Sequence, residues 1–240
     1  MIIRILPSMF TLGNLFLGII AIILAFQGAV EYAAIMVIIS MLLDGFDGRI
    51  ARLLNVQSDF GKELDSLSDV ISFGVAPAFI MYVVVLKDVG PLGWIVTALF
   101  PMAGALRLAR FNVKPGIPGY FIGLPITAAG GVLATTTLYY EVFKVPVLVI
   151  IMTFLSYLMV SNIKYPNFKK VGFPKTVYFV VPLTLILVIV LAIYFPKGFP
   201  RVVFLPLGLY ALYGIKKSFR RNKMNKHLAD DEFRSELEKR

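Results

Sequence analysis

The chain has 240 residues, 58% of them hydrophobic and only 16% charged, whereas soluble domains run at about 45–50% apolar and about 25% charged. That balance excludes an ordinary soluble domain and points to a multi-span membrane protein. The net charge is +10, Cys is absent and the single His, His227, lies in a polar C-terminal stretch, so disulfides, thiolate sites and His-ligated metals are excluded from the apolar part, where any metal must take oxygen ligands.

A spanning helix needs roughly 20 apolar residues. Eight candidates follow one another, near 12–28, 32–53, 61–87, 91–110, 120–140, 145–161, 176–195 and 199–215. Residues 1–10 read as a short amphipathic lead-in. The N-terminal stretch has no clear small-residue cleavage site and further spans follow it, so it is expected to be retained rather than removed as a signal peptide. After residue 215 the chain turns polar, with a basic run and then a mixed-charge helix. The predicted organisation is therefore all-α: a polytopic membrane helix bundle over 1–215 and a solvated tail over 216–240 that touches anionic lipid heads.

Lys and Arg placement sets the orientation. Twenty of the 24 basic residues fall on one side, including Arg49, Arg52, Lys62, Arg107, Arg110, Lys114 and the tail; Lys87, Lys144, Lys197 and Arg201 fall on the other. The richer side is expected to be cytoplasmic, with both termini on it. Basic charge gathered at segment ends fits a membrane surface and argues against nucleic acid as the partner.

Six of the 14 acidic residues lie between 44 and 69, in DGFDGRIARLLNVQSDFGKELDSLSD. Ionisable groups at membrane depth are costly and usually face a polar cavity. Asp44 and Asp47 share a helix face, and so do Asp65 and Asp69. The polar link around Asn55–Ser58 fits a helix–loop–helix hairpin, with Ser58 or Asp59 as N-cap. Antiparallel pairing would set Asp44 level with Asp69 and Asp47 level with Asp65. A second span running from Tyr32 to Arg52 puts Asp44 about 12 Å below the interface. Four carboxylates at matched depth would repel strongly, and divalent cations remove that penalty. An all-oxygen set suits Mg²⁺ or Mn²⁺, with Ca²⁺ also accommodated. Two such ions balance four charges and favour displacement at phosphorus. Gly48 and Ala51 lie one turn after Asp44 and Asp47, and Gly61 one turn before Asp65. They leave a floor with little side chain, and Arg52 is placed to meet a phosphate.

As a pattern, residues 44–69 read D-x-x-D-G-x-x-A-R-x8-G-x-x-x-D-x-x-x-D. This resembles, in full, the signature of the CDP-alcohol phosphatidyltransferase family. The resemblance implies an integral-membrane enzyme with a core of about six helices, usually a homodimer, that moves a phosphatidyl group from a CDP-linked lipid to an alcohol and releases CMP. It implies that Asp44, Asp47, Asp65 and Asp69 hold two divalent ions, that Asp69 is also the general base, and that Gly48, Ala51 and Arg52 line the CDP site. Two C-terminal spans exceed the six-helix core.

Three further stretches bear on the acceptor. PSMFTLGNLFLG (7–18) resembles the opening of the serine-using members, with Ser8 where an Asn is usual; Thr11 and Asn14 share a face and are expected at the nucleotide. SFGVAPAF (72–79) also resembles those members, and its Gly and Pro predict a bend that opens the cavity. ALRLARFNV (105–113) resembles them too. Arg107 and Arg110 share a face and suit either serine's carboxylate or the lipid diphosphate, with Asn112 and Lys114 as weaker candidates. GLPITAAGG (123–131) is like a family segment, but Ile126 and Thr127 depart from it, and its small residues fit close helix packing. The resemblance favours CDP-diacylglycerol and L-serine as substrates. Glycerol 3-phosphate and inositol phosphate stay open as acceptors, and a divalent-cation transporter is the reading outside the enzyme class.

Overall fold

The computed structural model describes residues 2–113, 120–166, 194, 207–209 and 211, with Ile2–Ile5, Tyr120 and Pro166 described in their backbone only. Apart from those few positions, the spans expected near 176–195 and 199–215 lie outside the described residues, as do the tail 216–240 and Lys114.

The first helix, α1 (Ile2–Phe26), absorbs the expected lead-in, because nothing separates it from the span; Pro7 sits within it, near its start. Its two faces explain its placement. Thr11, Asn14, Ala21 and Ala25 are buried, while Leu12, Phe16, Ile19 and Ile23 are exposed. In a bilayer the apolar stripe meets lipid and the small and polar stripe meets protein. Gly28, with φ +81, turns the chain into α2 (Val30–Leu53). That helix is long enough to span, but Asp44, Asp47, Arg49 and Arg52 lower its apolarity. Helices Leu6–Phe26, Asp59–Val84 and Pro91–Val113 are both long and apolar enough to cross a membrane.

A short link carries α2 into α3 (Asp59–Asp69). Of the two expected caps, Ser58 is the one that caps α3, its Oγ accepting from the Gly61 N–H at 3.0 Å. Directly after Asp69 the helix widens into a π-helical turn, Val70–Val75, then continues as α4 (Ala76–Val84). The expected bend in this stretch is therefore a widened turn inside one 26-residue rod, Asp59–Val84. Pro77 lies just after the widened turn, at the start of α4. Glycines let the widened turn pack closely. A Cβ on Gly18 would lie 2.4 Å from Ser72 Oγ, one on Gly130 2.4 Å from the Phe73 carbonyl oxygen, and one on Gly74 3.3 Å from Pro101 Cα. The turn is thus held against α1 and, through α5 (Pro91–Val113) and α6 (Ile126–Thr136), against the bundle centre.

The segment expected to span from residue 120 starts instead as strand β1 (Tyr120–Ile122), paired antiparallel with β2 (Lys164–Pro166), Phe121 opposite Tyr165. Gly123 explains the delay. It has φ +79, and a Cβ there would lie 2.2 Å from the Met159 carbonyl oxygen. Its N–H donates to the Ile163 carbonyl at 2.8 Å and the Leu124 N–H to the Leu158 carbonyl at 3.0 Å, so helix begins only after Pro125. Helix α6 is buried along nearly its whole length and is rich in Ala and Gly. Helix α7 (Val145–Val160) closes the set. Counting α3–α4 as one rod, the described residues form six helical segments, a polytopic membrane bundle around α6 with Phe73, Phe100, Ile80, Met81, Leu133 and Met152 at its centre.

Candidate active site

Helices α2 and α3 are joined by a short link, and α1 packs against both. This brings Asp44, Asp47 and Asp65 together: one carboxylate oxygen from each lies within 4.8 Å of the others, with Asp47 buried and the other two partly exposed. Three hard oxygen donors at that separation have the chemistry of a divalent-metal site. Asp69 is not in that trio, although it lies near enough for the charges of Asp44, Asp65 and Asp47 to act on it. It is only 6% exposed.

Side chains from outside the acidic stretch orient these carboxylates. Thr11 on α1 donates to Asp47 Oδ2 at 2.8 Å, and its hydroxyl also lies 3.1 Å from the Pro7 carbonyl. One turn on, Asn14 donates from Nδ2 to Asp69 Oδ1 at 3.2 Å. Thr127, at the start of α6, donates to Asp44 Oδ2 at 3.4 Å. In the sequence Thr127 stands out only as a departure from the family segment, a hydroxyl in the first turn after a Pro.

Beside the trio opens a cavity of about 390 Å³, within the usual range for small-molecule sites. Asp47 and Asp65 form its inner wall, Gly48, Ala51 and Arg52 line it along α2, and Ser8 and Thr11 close it from α1. Gln57, Ser58, Gly61 and Lys62 form its outer rim. The small floor expected along α2 is therefore in place. A Cβ on Gly48 would meet only the Arg52 guanidinium, at 3.5 Å. Gly61 has a second reason to be small, because a Cβ there would press on its own cap, Ser58 Oγ, at 3.2 Å. Asn14 does not line the cavity; it is buried behind the trio.

The second expected group splits apart. Arg110 donates to the Val160 carbonyl at 2.7 Å and faces Asn162 Oδ1 at 3.4 Å, so its charge meets the negative C-terminal end of α7. Asn112 donates to Ser66 Oγ at 2.9 Å and lies 3.4 Å from both Glu63 carboxylate oxygens, tying the end of α5 to α3. Lys62 Nζ lies 3.4 Å from the Asn112 carbonyl. Arg107 is buried, its guanidinium carbon 6.0 Å from the ring centres of both Phe111 and Phe121. It lies one turn beyond Gly104, whose Cα packs so closely on Ile126 that an added Cβ would meet that side chain at 2.4 Å. Ile126 precedes Thr127, the donor to Asp44.

Comparison with known proteins bears on this arrangement. The sequence model of the family described as CDP-alcohol phosphatidyltransferase matches residues 4–212. The chain is 41% identical over 217 residues to the CDP-diacylglycerol–serine O-phosphatidyltransferase of Helicobacter pylori (strain ATCC 700392 / 26695), covering 87% of this chain and 89% of that one. It is 41% identical over 166 residues to the protein of the same name from Bacillus subtilis (strain 168), covering 69% and 92%. It is 35% identical over 211 residues to the one from Methanocaldococcus jannaschii, covering 88% and 92%. With the full motif at residues 44–69, an aspartate trio built from it and a family match over nearly the whole length, the chain belongs to the CDP-alcohol phosphatidyltransferase family.

Proposed function

We propose that this protein is a CDP-diacylglycerol–serine O-phosphatidyltransferase, which transfers the phosphatidyl group of CDP-diacylglycerol to the hydroxyl of L-serine and releases CMP. The observation that carries the reading is the Asp44–Asp47–Asp65 trio, two of whose members, Asp47 and Asp65, wall a cavity floored by Gly48 and Ala51. The names of the relatives at 35–41% identity support serine as the acceptor.

In this reading the cavity along α2 takes the CDP moiety, with Arg52 at its rim offering a guanidinium to phosphate. Thr11 lines that cavity and also orients Asp47, while Asn14, which does not line it, orients Asp69. The trio holds divalent cations, Mg²⁺ or Mn²⁺ by donor type, which when bound neutralise the diphosphate and stabilise the leaving CMP. Asp69 accepts the serine hydroxyl proton as that oxygen bonds to the β-phosphorus. The bond from that phosphorus to the bridging oxygen breaks, and CMP departs with the electron pair. Arg107, one turn beyond the Gly104 that packs on Ile126 beside Thr127, is the residue this reading assigns to serine's carboxylate.

The same reading places the catalytic domain over 1–215, the tail 216–240 and the active site on the cytoplasmic face of the cell membrane, and the protein as a homodimer. The excess of Lys and Arg on that face supports the sidedness.

The test is CMP release from CDP-diacylglycerol by purified protein in detergent with Mn²⁺ or Mg²⁺. Serine, glycerol 3-phosphate and inositol phosphate are offered separately, with Asp69→Asn as control. Serine-dependent release that the variant lacks supports the reading. Release with glycerol 3-phosphate or inositol phosphate alone keeps the family and removes serine.

A further inference from the structure

Behind the carboxylates lies a buried polar cluster that the motif at residues 44–69 does not contain. Asn14, Ser40 and Ser72 are all fully buried, from three different segments. Ser40 Oγ makes a short contact with Asn14 Oδ1 and also lies 3.1 Å from the Asn14 backbone carbonyl. Ser72 Oγ lies 3.0 Å from the same backbone carbonyl. Gly18 makes this approach possible, since a Cβ there would lie 2.4 Å from Ser72 Oγ. Each hydroxyl has one proton to donate. Ser72 donates to the Asn14 backbone carbonyl, and Ser40, which lies closer to Asn14 Oδ1 than to that carbonyl, donates to the side-chain oxygen.

An amide held in this way can face in only one direction. With Oδ1 accepting from Ser40, Nδ2 points at Asp69 Oδ1, 3.2 Å away. Turned over, the amide would set its oxygen against the Asp69 carboxylate, acceptor against acceptor. Ser40 lies one turn before Asp44 on α2, so the helix that carries two of the trio also sets the neighbour of Asp69. We propose that Ser40 is a positioning residue for phosphatidyl transfer: through the Asn14 amide it fixes the carboxylate of Asp69 against the reacting hydroxyl. This rests on the role given to Asp69 above, but not on which alcohol is the acceptor.

The test compares wild type, Ser40→Ala, Asn14→Ala and the double variant as purified full-length protein, using whichever acceptor the wild type accepts. Failure of the serine assignment therefore leaves it intact. Ser40→Ala is expected to lower kcat about tenfold, the scale of one hydrogen bond acting on a charged group, with KM for both substrates within about twofold. Once Asn14 is Ala, removing the Ser40 hydroxyl should cost nothing more, because both changes interrupt one path. Mn²⁺ affinity, read from the EPR signal of free ion without substrates, should stay within about twofold of wild type, since Asp44, Asp47 and Asp65 are untouched. Unchanged kcat in Ser40→Ala overturns the proposal, and so do additive losses in the double variant. A fall in Mn²⁺ affinity that matches the fall in rate also overturns it, by moving the effect of Ser40 onto the trio.

Discussion

Thr11 and Asp47, 36 residues apart in sequence, meet at 2.8 Å between two buried side chains. The pairing ties the first helix to the acidic hairpin and gives the Asp47 carboxylate a fixed donor at Oδ2.

Replacing Thr11 by Val keeps the shape and removes the donor. A hydrogen bond to a charged group contributes about 1.5–3 kcal/mol, so kcat/KM should fall roughly tenfold to a hundredfold, with half-maximal activity moved to higher Mn²⁺. Thr11→Ser should retain most of the rate. CMP release titrated against Mn²⁺ checks both; a Val variant with wild-type Mn²⁺ dependence would remove Thr11 from the site.

Metal removal gives a second expectation. Three carboxylates with ligand atoms within 4.8 Å of one another repel unless a cation lies between them. Chelation with EDTA should abolish CMP release, and added Mn²⁺ or Mg²⁺ should restore it. Asp65→Asn leaves two charges in the trio and should weaken Mn²⁺ binding at least about tenfold, by the removal of one charged ligand. Calorimetric titration of Mn²⁺ into the purified protein measures the loss. Equal affinity in wild type and variant would mean that the trio is not the metal site.

The floor of the cavity separates space from stability. A methyl on Gly48 meets only the flexible end of Arg52, so Gly48→Ala should unfold within about 2 °C of wild type, as harmless surface changes do. In this family reading it narrows the CDP site, and KM for CDP-diacylglycerol should rise about tenfold with serine KM unchanged, a difference of roughly 1.4 kcal/mol. Gly130→Ala is the contrasting case. Its Cβ would lie 2.4 Å from the Phe73 carbonyl oxygen and 2.8 Å from Phe73 Cα, both backbone atoms of the widened turn after Asp69. Overpacking of that kind costs typically about 1–3 kcal/mol, so thermal stability and activity should fall together.

The hairpin was legible in sequence because it is local. Asp44, Asp47, Asp65 and Asp69 repeat at helical spacing on either side of a short polar link, and Ser58 is one of the two caps that the pattern offers. The floor was legible for the same reason, since Gly48 and Ala51 lie one turn from Asp44 and Asp47. What escaped is what joins distant segments. Thr127 reaches Asp44 across 83 residues, and Ser40 reaches Asn14 across 26. A lone hydroxyl on an apolar helix has no periodic partner to mark it. The widened turn at Val70–Val75 escaped because its Gly and Pro carry the same local signal as a bend. The late start of α6 depends on Gly123 lying against the Met159 carbonyl, which nothing near residue 123 encodes.

Arg107 and Arg110 carry the last prediction, because they share a helix face yet have different surroundings. Arg110 donates at 2.7 Å to the Val160 carbonyl, a backbone acceptor at the end of α7 with no signature in sequence. Removing it leaves that helix end without its cation, so Arg110→Ala should cost about 1–2 kcal/mol of stability while serine KM moves less than about threefold, under 0.7 kcal/mol. Arg107 is buried against Phe111 and Phe121, close behind the start of α6 that holds Thr127 on Asp44. In the serine reading its guanidinium meets the acceptor's carboxylate. Arg107→Lys keeps the charge but not the two-pronged geometry, and should raise serine KM about tenfold or more while the KM for CDP-diacylglycerol holds. Initial rates over a serine range at saturating donor, with thermal unfolding on the same samples, decide between the two arginines. A serine KM that rises in Arg110→Ala and not in Arg107→Lys would reverse the assignment and make the end of α7 part of the acceptor site.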